Sequence, residues 1–192
     1  MQFEEAGRYI ISLLNRELPE NLCYHNVDHT LDVYSAAGRI AKAEGVTDSD
    51  MKLLLTAAWF HDSGHIKGRP DHEKLSCAIA RDALPKFGYS HDDIEHICAM
   101  IMATRIPQTP TDHLGEILAD ADLDYLGRDD FFELSDKLYR EFCMTGHVES
   151  KDHWNQVQVE FFNDHHYFTK TARAERETKK EYNLQLIKAE LA

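Results

Sequence analysis

The chain is poor in the features that staple, anchor or target a protein. Only four cysteines occur in 192 residues, at positions 23, 77, 98 and 143. They are far apart and form no CxxC pair, which argues against a zinc ribbon, a CxxC redox motif and a disulfide scaffold, and makes a reducing cytoplasm the expected compartment. Positive charge is scarce too: 21 Lys and Arg stand against 34 Asp and Glu, a formal net charge of −13. A surface of that sign does not displace counterions from a nucleic-acid duplex or dock on an anionic membrane. It still admits a small anionic ligand, because a bound cation inverts the local field. The longest apolar stretch, "LLLTAAWF", is too short to cross a bilayer, and the acidic start "MQFEEAGR" is unlike a signal peptide. No internal repeat, low-complexity tract or linker interrupts the chain, and its length suits one domain with a proper core.

What is present is helical periodicity. Phe3, Ala6, Ile10, Leu13 and Leu14 trace one face, and Pro19 follows its end. Val27, Leu31, Tyr34, Ala37 and Ala41 trace a second, which Gly45 closes. "TDSD" offers N-caps before the run from Met51, and Ser90 to Asp93 has capping-box spacing before Ile94, Ile97 and Ile101. A helix through Leu75, Ala78, Ile79 and Ala83 stops near Pro85, and "TRIPQTPTDH" reads as a loop. Leu114, Ile117 and Leu118 begin a helix that runs into "ADADLDYLG". Later helices centre on residues 131–144, 154–162 and 171–191. The last reads as a solvated helix with an i,i+4 pair, Glu175 and Lys179, and an apolar stripe at Leu184, Ile187 and Leu191. Clear strand alternation is missing, so the expected fold is all-α, a single domain over residues 1–192.

Twelve histidines are many for this length, and their positions carry information. In "AAWFHDSGH" an apolar helical run delivers His61, Asp62 and His65 in one short stretch. "CYHNVDHTLDV" sets His25 and His29 four residues apart, a spacing that on a helix shares one face. "LADADLDYLG" adds Asp120, Asp122 and Asp124 around apolar residues. Each segment alone has an ordinary reading as a core or surface histidine, a helix C-terminus or an acidic helix end. Together, two His and two Asp make a mixed nitrogen and oxygen set suited to zinc, iron, manganese or magnesium.

The order H…HD…D resembles the HD superfamily of metal-dependent phosphohydrolases. "YHNxxHxxxV" is similar to the start of the cyclic nucleotide phosphodiesterase catalytic domain, "HDxGH" to the superfamily signature and "ADL" to its last metal-ligand segment. With "HEKLS" and "IMATR", the matching segments span roughly the first two-thirds of the chain, with core motifs at 24–126 and C-terminal helices at 129–191. The resemblance implies a helical domain with a metal site between helices and His29, His61, Asp62 and Asp122 as metal ligands. Asp122 is preferred to Asp120 because an apolar residue, Leu123, follows it. The resemblance also implies a catalytic set of His25, which protonates the leaving group, Asp62, and His65 beside a bridging water or a second metal.

His72 resembles a second-metal ligand of two-metal relatives, but Thr104 stands where those relatives carry another histidine, with His96 two turns earlier as the substitute. Gln158, in "QVEFF", resembles the glutamine that phosphodiesterases set against a purine. Lys67, Arg69, Arg105 and Arg128 lie near the motifs and are candidates to neutralise a substrate phosphate. The implied cofactor is a divalent metal (Mn, Fe, Zn, Mg, Co or Ni) in one tight site, with a second site open. The implied activity is hydrolysis of a phosphate ester, of a nucleotide or cyclic nucleotide, by metal-activated water. The implied partner is a small phosphorylated substrate, with a homodimer left open. Two other readings stay open: an HD-type di-iron oxygenase, and a nucleotide sensor without turnover.

Overall fold

The computed structural model describes residues 1–68 and 70–191. Among them are nine α-helices and no strand: α1 (Phe3–Glu17), α2 (Val27–Ala43), α3 (Asp48–Phe60), α4 (His72–Ala83), α5 (His91–Ala103), α6 (His113–Asp122), α7 (Phe131–Met144), α8 (Lys151–Asp164) and α9 (Lys170–Glu190). Short 3-10 turns follow α3, α4 and α6, at Ser63–Ile66, Leu84–Phe87 and Asp124–Gly127. None of these helices is long and apolar enough to cross a membrane.

Local chemistry sets the helix starts. The Asn26 side chain accepts from the backbone N–H of Asp28 and His29 and so opens α2. Thr47 accepts from Asp50 N ahead of α3, and Ser90 and Asp93 form a reciprocal capping box on α5. Because Asn26 is the cap, His25 lies just before α2 rather than on it. The reading of His25 and His29 as one helical face therefore fails, and a different contact holds His25.

Two apolar clusters meet at the site. The larger packs α1 to α6 around buried Ile10, Ile40, Leu54, Phe60, Ile97, Ile101 and Ile117. Each such side chain contributes about 1.5–3 kcal/mol by leaving water. The smaller gathers Tyr24, Leu123, Tyr125, Leu126, Phe131, Phe162 and Ile187 under the C-terminal helices. Tyr24 precedes His25 and Leu123 follows Asp122, so the seam between the clusters runs through the motif residues. One close approach positions the motif turn. A Cβ on Gly64 would lie 1.9 Å from the carbonyl oxygen of His72, and Gly64 N donates to Ser76 Oγ at 2.7 Å. Only glycine lets the turn after His61 and Asp62 rest directly on α4.

The last helix departs from expectation. Glu175 pairs with Arg39 and Lys179 with Asp129, rather than with each other. Ile187 is buried, whereas Leu191 is exposed. Buried Lys180 and Asn183 extend the contact face by donating to the backbone carbonyls of His165 and Leu126.

Candidate metal centre

α2 carries His29 and the end of α3 presents His61 and Asp62; the last residue of α6 is Asp122. Their donor atoms converge. His29 Nε2 lies 3.4 Å from Asp62 Oδ2 and 3.2 Å from Asp122 Oδ1. His61 Nε2 lies 3.3 Å and 3.4 Å from the same two oxygens, and 3.4 Å from His29 Nε2. His29, His61 and Asp122 each offer a donor within 4.8 Å of the others, and Asp62 Oδ2 lies against both nitrogens. Separations of this size suit donors that share one cation at roughly 2.0 Å, the bond length of zinc or a similar ion to imidazole and carboxylate donors. His61 Nδ1–H donates to Ala58 O at 2.8 Å, which leaves the Nε2 lone pair facing the centre. Asp62 Oδ2 is buried and accepts no hydrogen bond among the described residues. The donor set fits a divalent transition metal.

The electrostatics agree. Burial alone would lower the pKa of His29, but the adjacent carboxylates of Asp122 and Asp62 outweigh it and raise it to about 8. His61 is likewise raised against the cost of burial, by the charge of Asp62 and the nearby carboxylate of Asp122. Burial works against ionisation of Asp62 and Asp122, yet the two imidazoles hold both well below the usual carboxylate range. A cation takes over the role of those shared protons.

The three acids of "DADLD" have three different jobs. Asp122 faces the imidazoles. Asp120 turns the other way and accepts from the backbone N–H of Phe168 and Thr169, both at 2.8 Å, just ahead of α9. Asp124 binds Arg39 at 2.6 Å and Arg176 at 2.8 Å. The choice of Asp122 over Asp120 thus has a structural counterpart in which side of α6 each faces.

His25 is held by a residue that sequence reasoning missed. Its Nδ1–H donates to Glu141 Oε1 at 2.6 Å, and Glu141 Oε2 accepts from the backbone N–H of Tyr24 and of His25. Glu141 is fully buried on α7; burial opposes its charge, but the contact with His25 and the backbone donors hold its pKa down to about 2. It is therefore an acceptor, which puts the Nδ1 proton on His25 and leaves Nε2 as the working nitrogen. Glu141 lies outside the recognisable motifs, over a hundred residues from His25, on an amphipathic helix where one more glutamate looks like surface. The one signal was that "REFCM" places it among apolar positions.

His65 and His72 also join the cluster, with rings stacked at 4.2 Å, and His72 Nε2 lies 3.3 Å from Asp62 Oδ1. Two expectations need correction. His96 sits eight residues before Thr104, about 12 Å of helix rise from the end of α5. Its Nε2 meets Asp112 at 2.6 Å beside Glu44 and His113, so it does not join His72. Gln158 is buried in a saturated chain: it accepts from Ser135 Oγ at 2.5 Å and donates to Asn155 at 3.2 Å. It fastens α7 to α8 and faces no ligand space. Thr104 donates its hydroxyl to Ile101 O, and no histidine replaces it there. Lys67 is exposed after the 3-10 turn, Arg105 pairs with Asp71, and Arg128 is held by Asp32 and Asp130. Arg69 lies outside the described residues.

Comparison with known proteins agrees with this geometry. The HD domain family matches residues 26–124, from the cap of α2 to Asp124. No curated protein sequence matches. Three solved structures share the fold. A predicted HD superfamily hydrolase from an uncultured Thermotogales bacterium is 22% identical over 96% of this chain and 90% of its own, with a TM-score of 0.65. Bacillus subtilis YpgQ, solved in complex with ADP, is 22% identical over 98% and 95%, with a TM-score of 0.68. A Lactobacillus plantarum protein is 21% identical over 99% and 98%, with a TM-score of 0.70. With the family match covering more than half its length and the converging His and Asp side chains in place, the chain belongs to the HD domain family.

Proposed function

We propose that this protein is a metal-dependent phosphohydrolase, a phosphodiesterase or phosphatase acting in the cytoplasm on a small nucleotide-like phosphate ester. The observation that carries the reading is the His25–Glu141 pair beside the four-donor centre. A bound divalent metal supplies Lewis acidity, which activates water and offsets phosphoryl charge at neutral pH. The chain's own residues supply the rest. His29, His61, Asp62 and Asp122 fix where that charge sits. Glu141 holds the His25 ring and its Nδ1 proton, so that Nε2 can carry a proton to the leaving oxygen.

A cavity of 370 Å³ supports a nucleotide-like substrate. Ile106, Pro107, Phe161 and Phe168 give it an apolar, aromatic lining. Its walls are bonded to the turn of α6 that precedes Asp122: Gln108 donates to Ala119 O, and Phe168 N donates to Asp120. At its other side the loop is tied next to His72 through Arg105 and Asp71. The ADP bound by YpgQ, a protein of the same fold, is consistent with this substrate class.

The test uses leaving-group demand. A ribose alkoxide needs a proton strongly, and a nitrophenolate leaves nearly unaided. His25→Ala is expected to keep its metal and lose about 10²–10⁴-fold in kcat/KM on nucleotide esters, with little loss on nitrophenyl esters. Equal losses on both at equal metal occupancy would show that His25 positions substrate instead.

A further inference from the structure

Two of the four cysteines, 21 residues apart in the chain, meet inside the fold as free thiols. Cys77 lies on α4 and Cys98 on α5, and each is 3% exposed. Their contact is reciprocal. The Cys77 thiol donates to Cys98 O at 3.5 Å, and the Cys98 thiol donates to Cys77 O at 3.7 Å. Each side chain therefore turns across the gap between the helices toward the other residue, the orientation a disulfide needs. An exposed ion pair clasps the same two helices one turn away: Arg81 binds both carboxylate oxygens of Glu95, each at 2.7 Å. Burial alone makes a thiol inert, so what matters is how the two sulfurs differ. The adjoining Cys77 thiol and the Arg81 guanidinium lower the pKa of Cys98 against the cost of its burial. The same contact, together with burial, raises that of Cys77. Cys98 is thus the readier nucleophile, and its neighbour keeps a proton to give.

We propose that Cys77 and Cys98 are a site of reversible oxidation, closing to a disulfide between α4 and α5 when hydrogen peroxide is present. The Cys98 thiolate attacks the peroxide: an S–O bond forms, the O–O bond breaks, and hydroxide leaves to take up the thiol's former proton as water. The Cys77 sulfur then attacks the sulfenic sulfur. The S–S bond forms, the S–O bond breaks, and the departing oxygen takes the Cys77 proton and leaves as a second water. The two thiols lose two electrons, and the peroxide is reduced to two waters. A dithiol reverses the bond by exchange, so a reducing compartment holds the pair open. The bond occupies none of the metal ligands. It fixes the seat of the motif turn, because Ser76, beside Cys77, accepts from Gly64 N. The site is independent of the reaction at the metal centre.

The test uses the full-length chain with Cys23→Ser and Cys143→Ser, which removes the two less buried thiols. The protein is treated with hydrogen peroxide, unfolded in an alkylating reagent and mapped by peptide mass. A cross-linked peptide joining Cys77 to Cys98 is expected, lighter by two hydrogens than the two thiol peptides together, with neither cysteine alkylated. The unsubstituted chain should give the same cross-link. A disulfide closing a loop of this length should raise the Tm by roughly 5–10 °C, and dithiothreitol should restore the starting value. Adding Cys77→Ser should stop the reaction at a Cys98 sulfenic acid that dimedone traps, with no gain in Tm. Alkylation of both thiols after peroxide treatment overturns the proposal, as does oxidation of Cys98 to sulfinic acid while Cys77 keeps its thiol. A cross-link that lowers the Tm would overturn it too, since the bond would then form only in distorted or unfolded molecules.

Discussion

Glu141 sets the direction of the His25 imidazole before any ligand arrives. Its carboxylate takes three hydrogen bonds, one from the ring and two from the backbone of the turn before α2. Glu141→Gln keeps the shape but gives up the charge that holds the Nδ1 proton. Loss of such a supporting partner costs about 10–100-fold. The account expects that loss in kcat on nucleotide esters with KM nearly unchanged, and an activity profile that shifts with pH because His25 no longer has an anion behind it. A purely structural glutamate would lower the amount of folded enzyme without moving the pH profile. The sign for stability is also fixed. The pKa of Glu141 is depressed to about 2, so its stabilisation is fully present above the ordinary carboxylate range and is lost as pH falls toward 2. Glu141→Gln should flatten that part of the acid limb of the melting curve.

At the scale of elements, α6 connects everything. The end of α6 and the 3-10 turn after it spread three acids over three directions: Asp120 to the start of α9, Asp122 to the imidazoles and Asp124 to Arg39 and Arg176. Asp120→Ala strands two backbone N–H groups ahead of α9, at about 1–3 kcal/mol each. It should lower the Tm in the presence and absence of metal alike, a difference scanning calorimetry resolves from a ligand mutant. The helices and the ligand set were legible in the sequence because each rests on local signals: Asn26, Thr47 and Ser90 as caps, and the HD pair at the end of an apolar run. What was not legible depended on contacts distant in sequence. Glu141 and Gln158 are both polar residues on amphipathic helices, and only tertiary packing shows that one faces a histidine and the other a serine. His96 offers an imidazole on the right helix, two turns from the position where one is needed, and only tertiary packing shows that it pairs with Asp112. The spacing of His25 and His29 would share a face only within one helix, and it does not reveal that Asn26 caps α2 between them.

For the whole molecule, the metal ligands join α2, the end of α3 and the end of α6, across the seam between the two apolar clusters. A cation that binds only the folded state stabilises it by about 2.7 kcal/mol at a hundredfold excess over its Kd. For a chain of this size that is about 5–10 °C in Tm. Chelation should remove that increment, and Asp62→Ala should make the Tm indifferent to chelator. Acid should weaken the fold far from the centre as well. Both ring nitrogens of His165 are buried without a hydrogen bond among the described residues, and burial lowers its pKa to about 3. The unfolded chain takes up a proton near pH 6.5 that the folded chain refuses, so stability falls as pH drops from about 6.5 toward 3. His165→Phe should remove that part of the slope. The central claim is that one divalent cation is held by His29, His61, Asp62 and Asp122. Anomalous diffraction at the metal edge, on crystals grown with Zn²⁺ or Mn²⁺, tests it most directly. The account predicts the strongest peak about 2.0–2.3 Å from both Nε2 atoms, Asp62 Oδ2 and Asp122 Oδ1. A strongest peak elsewhere, or a centre without Asp122, would contradict it.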